Sequence, residues 1–120
     1  SVKLMDVVRR NNVLTVKWAV VNEGDDTAKV WFGLVGDEVS YALDEESGTK
    51  YYVLTDEEGN AVGSANEWIS SDLNGIKDEL EPGRTARYWM KLPAPPPEVT
   101  EISIFLNETE PLEYVPITDR

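Results

Sequence analysis

The chain is 120 residues long, 41% hydrophobic and 28% charged, which is enough apolar material for one packed domain over residues 1–120, too little for two cores, and too apolar for a disordered chain. Eleven basic against twenty-three acidic residues leave a net charge of −12; this opposes phosphate backbones and anionic lipid, so no nucleic acid is expected as a partner. Histidine and cysteine are both absent, which removes disulfides, thiolate and imidazole chemistry, haem ligation and zinc sites built from nitrogen or sulfur, and no cofactor is expected.

In chain order, Val2 to Val8 reads as an outer strand. Leu14, Val16, Trp18 and Val20 then alternate with Thr15, Lys17, Ala19 and Val21, the period of a strand with one buried face. Trp18 is the strongest candidate for the centre of the core, since a buried indole contributes roughly 2–3 kcal/mol. Past the turn residues Asn22 to Asp26, the series Ala28, Val30, Phe32, Leu34 repeats the pattern, with Lys29, Trp31 and Gly33 opposite, and the two runs are expected to pair as a hairpin. Val39, Tyr41 and Leu43 make a third run and Tyr51 to Leu54 a fourth. Each is closed by an acidic turn, Asp44-Glu45-Glu46-Ser47-Gly48 and Asp56-Glu57-Glu58-Gly59-Asn60.

Between Asn66 and Leu80 the pattern changes. Ile69, Leu73, Ile76 and Leu80 recur at the spacing of one helix face, while Gly75 weakens a helix, so a short helix and an irregular loop both stand open. Glu81-Pro82-Gly83 is a turn signal into a strand with Ala86, Tyr88, Met90 and Leu92 on one side and Thr85, Arg87, Trp89 and Lys91 on the other. Pro93-Ala94-Pro95-Pro96-Pro97 must be extended. Ile102, Ile104 and Leu106 form the next strand, and Tyr114 to Ile117 the last, confined to a sheet edge by Pro116. No apolar run approaches the roughly eighteen residues that span a bilayer, so no direct membrane insertion is expected. About seven to nine short strands separated by turn clusters predict an all-β, immunoglobulin-like antiparallel sandwich of two sheets.

Particular stretches carry a resemblance. Leu14-Thr15-Val16-Lys17-Trp18-Ala19-Val20-Val21-Asn22-Glu23-Gly24 is similar to the "l-t-v-x-w-x-v-x-N-x-G" strand of immunoglobulin-like domains in bacterial secreted lipoproteins and cell-envelope proteins, the type found beside outer-membrane-protein-A-like domains. Asp44 through Gly48 to Tyr51, Leu80-Glu81-Pro82-Gly83, Leu92-Pro93-Ala94-Pro95-Pro96 through Val99-Thr100, and Tyr114-Val115-Pro116-Ile117 resemble further motifs of that family in the same order. The resemblance implies an extracytoplasmic domain, secreted or envelope-anchored. It implies no catalytic residues, and a role as a spacer or protein-interaction module. The partner would be a protein, another cell-envelope component or a neighbouring domain of a longer precursor.

Three groups of residues compete as functional sites. The acidic turns offer hard oxygen ligands, yet neither follows the alternating ligand order of a calcium loop, and solvated turns are the commoner outcome. Trp31, sharing a face with Lys29, and Trp89, between Arg87 and Lys91, point away from the main core and make a candidate interaction surface together with Trp68, suited to a protein or a sugar. The bland reading is that the 66–80 segment folds over the first two, with Trp68, as a secondary core, or that basic side chains cover them. Without histidine a serine nucleophile would need a lysine base, and no G-x-S-x-G elbow occurs, so no enzyme is expected. Asn107-Glu108-Thr109 fits a glycosylation acceptor pattern of a kind that arises by chance. The leading expectation is a non-catalytic spacer or protein-interaction module, and the alternative is a glycan- or calcium-binding one.

Overall fold

Period-two alternation produces strands throughout. The computed structural model describes residues 1–120 except Asp37, Glu38, Asn66, Glu108 and the side chain of Met5. Among them lie β1 (Val2–Arg10), β2 (Val13–Val21), β3 (Ala28–Val35), β4 (Tyr41–Asp44), β5 (Thr49–Tyr52), β6 (Glu67–Ser70), β7 (Leu73–Leu80), β8 (Thr85–Pro93), β9 (Glu101–Phe105), β10 (Leu112–Pro116) and β11 (Thr118–Asp119). The result is an all-β sandwich whose strands divide into three hydrogen-bonded sheets, ordered β11-β1-β2-β8, β10-β9-β4-β5 and β3-β7-β6. Every pairing is antiparallel except β1 with β11.

The three sheets share one core. Trp18 is fully buried, and its ring meets Phe32 of β3 edge-on at 5.5 Å and Tyr88 of β8 at 6.0 Å. Leu14, Val16, Met90 and Leu92 from the first sheet pack into the same cluster as Ile76 of β7 and Ile102 and Ile104 of β9. Among the described residues the Trp18 Nε1–H finds no acceptor in that apolar setting. Burial holds the Tyr88 phenol far above its ordinary titration range, and its hydrogen bond to Asp78 adds to the effect.

Two expectations are corrected. β2 and β3 do not form a hairpin: β2 already has β1 and β8 as neighbours, and β3 pairs with β7 in another sheet. The connection is a crossover pinned by buried Asn22, whose Nδ2 donates to the carbonyls of Asp26 and Leu80, while its Oδ1 accepts from Gly24 N–H. The hairpin partner of β2 is β1, joined through Asn11 and Asn12, both at positive φ (51° and 66°), as a two-residue turn requires.

The 66–80 segment is neither helix nor loop. Its described part is the hairpin β6–β7, while Asn66 itself lies outside the described residues. Asn74, Ile76, Asp78 and Leu80 alternate on one side, and the two polar members hide the period of two. Both are satisfied: Asn74 accepts from Ala61 N–H at 2.7 Å and donates to the Glu67 carbonyl, and Asp78 accepts from the Tyr88 hydroxyl at 3.0 Å. Gly75 serves the strand because a Cβ there would collide with the Phe32 carbonyl of β3. β10 runs along an edge with Pro116 at its end, as its proline dictates.

Candidate functional site

Cross-strand register decides which side chains share the outer face of the first sheet. Along β1, β2 and β8 the rows are Lys3–Ala19–Arg87, Asp6–Lys17–Trp89, Val8–Thr15–Lys91 and Arg10–Val13–Pro93. A shallow trough of about 600 Å³ runs over this face, walled by Arg10, Lys17, Lys91 and Arg120 around Val8, Val13 and Trp89. Trp89 is 38% exposed, and Lys91 Nζ stands 5.8 Å from its ring centroid, a cation–π contact. Asp6 is the sole carboxylate in the sequences of these three strands. It faces Lys17 across the ladder and lies 3.8 Å from Arg120.

The charge distribution is uneven to a degree that the net value conceals. β1, β2 and β8 together carry a formal charge of +5, while the rest of the chain carries −17. Five of the six strand cations point outward; the sixth, Arg9, turns the other way and is buried. Its guanidinium donates to the carbonyls of Pro95, Pro96, Pro97 and Val99 and pairs with Asp119 at 2.6 Å. That hydrogen bond holds Arg9 above and Asp119 below their ordinary pKa values. The proline segment, unable to give ladder donors, is thus fastened through its carbonyls.

The anchored segment forms one wall of a second, acidic depression of about 720 Å³, lined by Asp44, Glu45, Glu46, Glu98 and Glu101 with Tyr51 and Tyr114. Buried Ser103 donates to Glu45 at 3.0 Å and accepts from Tyr114 N–H at 3.1 Å. Tyr114 sits in a bulge of β10 at φ 51°, a strained backbone for a bulky residue, with its side chain 57% exposed. Burial raises the Tyr51 phenol above its ordinary value, helped by Asp44. Both acidic turns are held by their own aspartates: Asp44 accepts from Ser47 and Glu46 N–H, and Asp56 from Glu58 and Asn60 N–H. Among the described residues no three carboxylates gather closely enough to hold a metal ion.

The three tryptophans singled out by sequence are not brought together. Trp31 lies half-buried on β3 opposite Lys77, in a different sheet from Trp89. Trp68 on β6, 45% exposed, donates from Nε1 to Asn60 Oδ1 at 2.9 Å and leans on the acidic turn. Asn107 is occupied by structure: its amide accepts from Gly33 N–H and donates to the Trp31 carbonyl, closing part of the β3 edge, and Glu108 of the acceptor pattern lies outside the described residues. Sequence reasoning missed Arg10, Lys17 and Arg120 as neighbours of the Trp89 surface, because only register joins them. It also missed an aromatic row, Tyr52–Tyr41–Phe105, across the outer face of β5, β4 and β9. There Tyr41 and Phe105 stack on each other at 4.8 Å, so each ring covers a face of the other.

A scan of family models and searches of curated proteins and of solved structures found no match to this chain.

Proposed function

We propose that the chain is a non-catalytic extracytoplasmic module of the bacterial cell envelope, a spacer that docks an envelope component through the outer face of β1, β2 and β8. The observation that carries this reading is the charge separation: on the outer face of three paired strands Lys3, Arg10, Lys17, Arg87 and Lys91 against Asp6 sum to +4 in a chain of net charge −12, with an exposed indole among the cations. Charged patches of one sign steer and orient partners of the other, and exposed tryptophan is enriched where partners bind. The overall negative charge does not cancel the patch. At physiological salt the screening length is about 8 Å, whereas the molecule measures 24 Å across its smallest dimension. The envelope location rests on the sequence motifs that resemble secreted immunoglobulin-like domains, and the non-catalytic reading on the absence of histidine and cysteine.

Co-sedimentation of the purified chain with washed bacterial envelopes tests it. Retention at low salt, release at roughly 0.5 M salt and loss of retention in the Lys17→Glu/Lys91→Glu variant are expected. Retention of that variant equal to the parent contradicts the reading. Lys29→Ala, an exposed charge change on β3, serves as the control that keeps full retention.

A further inference from the structure

We infer that the occupant of this outer face is a carboxylate-bearing polysaccharide, a uronic-acid chain one sugar wide. The inference rests on the docking reading above and names its ligand. The first argument is size. Nine-residue strands at about 3.4 Å per residue and three strands at about 4.8 Å spacing give a face of roughly 30 by 14 Å, near 400 Å²; a stable protein partner usually covers about 800 Å² per side.

The second argument is what the face withholds. Extended peptides are recognised mainly by strand addition to an open sheet edge. Here β11 pairs with β1 at Val8 and Arg9, beside the trough, and the outer side of β8 is taken by Leu54 N–H to the Lys91 carbonyl, Lys91 N–H to the Val62 carbonyl and Ser64 N–H to the Trp89 carbonyl. Beside the trough the sheet therefore presents side chains rather than an open ladder. A peptide laid across it gains no backbone ladder and only side-chain contacts, whereas a sugar brings C–H faces that stack on an exposed indole.

The third argument is chemical match. Trp89 supplies the ring surface, and Lys17, Lys91 and Arg10 supply cations in successive rows about 6.8 Å apart along the strands. A pyranose ring on the indole with its carboxylate toward Lys91 satisfies both groups at once. Asp6 opposes an anion, yet it is balanced by Lys17 across the ladder and by Arg120.

Titration calorimetry of the intact chain at low salt tests this with three probes: a short oligogalacturonate, the same oligomer with its carboxyls methyl-esterified, and poly-glutamate. The oligogalacturonate is expected to bind. Esterification, Trp89→Ala and Lys91→Gln should each weaken it at least about tenfold, a change worth about 1.4 kcal/mol, with the variants' melting temperatures near the parent's. If Trp89→Ala melts early, Lys91→Gln and the esterified probe still decide. Poly-glutamate binding without oligogalacturonate binding overturns the sugar assignment and leaves the docking face standing. Equal binding of both by charge alone, unaffected at Trp89, also overturns it. Binding of neither probe overturns the sugar assignment and the anionic docking face together.

Discussion

The cationic face and the acidic depression both depend on β1, and they are built in opposite ways. Arg10 projects into the first, while its neighbour Arg9 turns inward and fastens the wall of the second. On the cationic face every charge stands on one of three long paired strands or at the adjoining C-terminus, so the ladder fixes the spacing of the cations. The depression draws its carboxylates from a turn, a proline-rich connection and the start of β9, and the carboxylate of its aspartate is spent on the Glu46 N–H and the Ser47 hydroxyl of its own turn. Charge density alone does not make a site: strands aim side chains outward at a fixed period, whereas each of these turns spends its aspartate in holding its own shape.

Substitutions sharpen the comparison. The largest effect is expected where both regions lose their common support. Trp18→Ala removes the fully buried ring against Phe32 and Tyr88 and should cost about 3–5 kcal/mol in urea unfolding; Trp18→Phe should cost less, because it also removes the unpartnered indole N–H. Next comes Arg9→Ala, which strips the proline segment's carbonyls of their donor and should cost about 2–4 kcal/mol. Hydrogen exchange in this variant should rise at residues 94–100 before it rises in β2 or β8. A smaller, pH-dependent effect belongs to Asp119. Its carboxyl titrates below its ordinary value because Arg9 hydrogen-bonds it, so its contribution is complete above the unfolded-state pKa and is lost as pH falls through the lowered folded-state value. Acid unfolding of Asp119→Asn should accordingly lose that part of the acid limb, a modest change since the side chain is 64% exposed. The smallest effect on stability is expected on the cationic face itself: Lys17→Glu and Lys91→Glu should each shift unfolding by within about 0.5 kcal/mol while removing docking.

Much of the architecture was legible because apolar and polar residues alternate cleanly in β2, β3 and β8, and the turns after β4 and before β8 fall where Gly48 and Gly83 take positive φ. The β6–β7 hairpin was not, because Asn74 and Asp78 occupy the side that apolar residues mark elsewhere. Their partners, Ala61 N–H and the Tyr88 hydroxyl, come near only in the fold. The partner of β2 was misread for a related reason. Asn22 looks like an ordinary turn residue until Leu80, fifty-eight positions away, is seen to accept its amide proton. Half of the candidate site was visible in sequence as Trp89 flanked by Arg87 and Lys91. The other half, Lys17 and Arg10, is supplied by strand pairing, which linear spacing does not encode.

The most direct measurement is a titration of the ¹⁵N-labelled chain with oligogalacturonate, followed by amide chemical shifts. The account predicts saturable, salt-sensitive changes confined to residues 6–10, 13–17 and 87–91 and to Arg120, with residues 44–49 and 98–101 unmoved. Shifts centred on the acidic depression, or none at low salt, would contradict it.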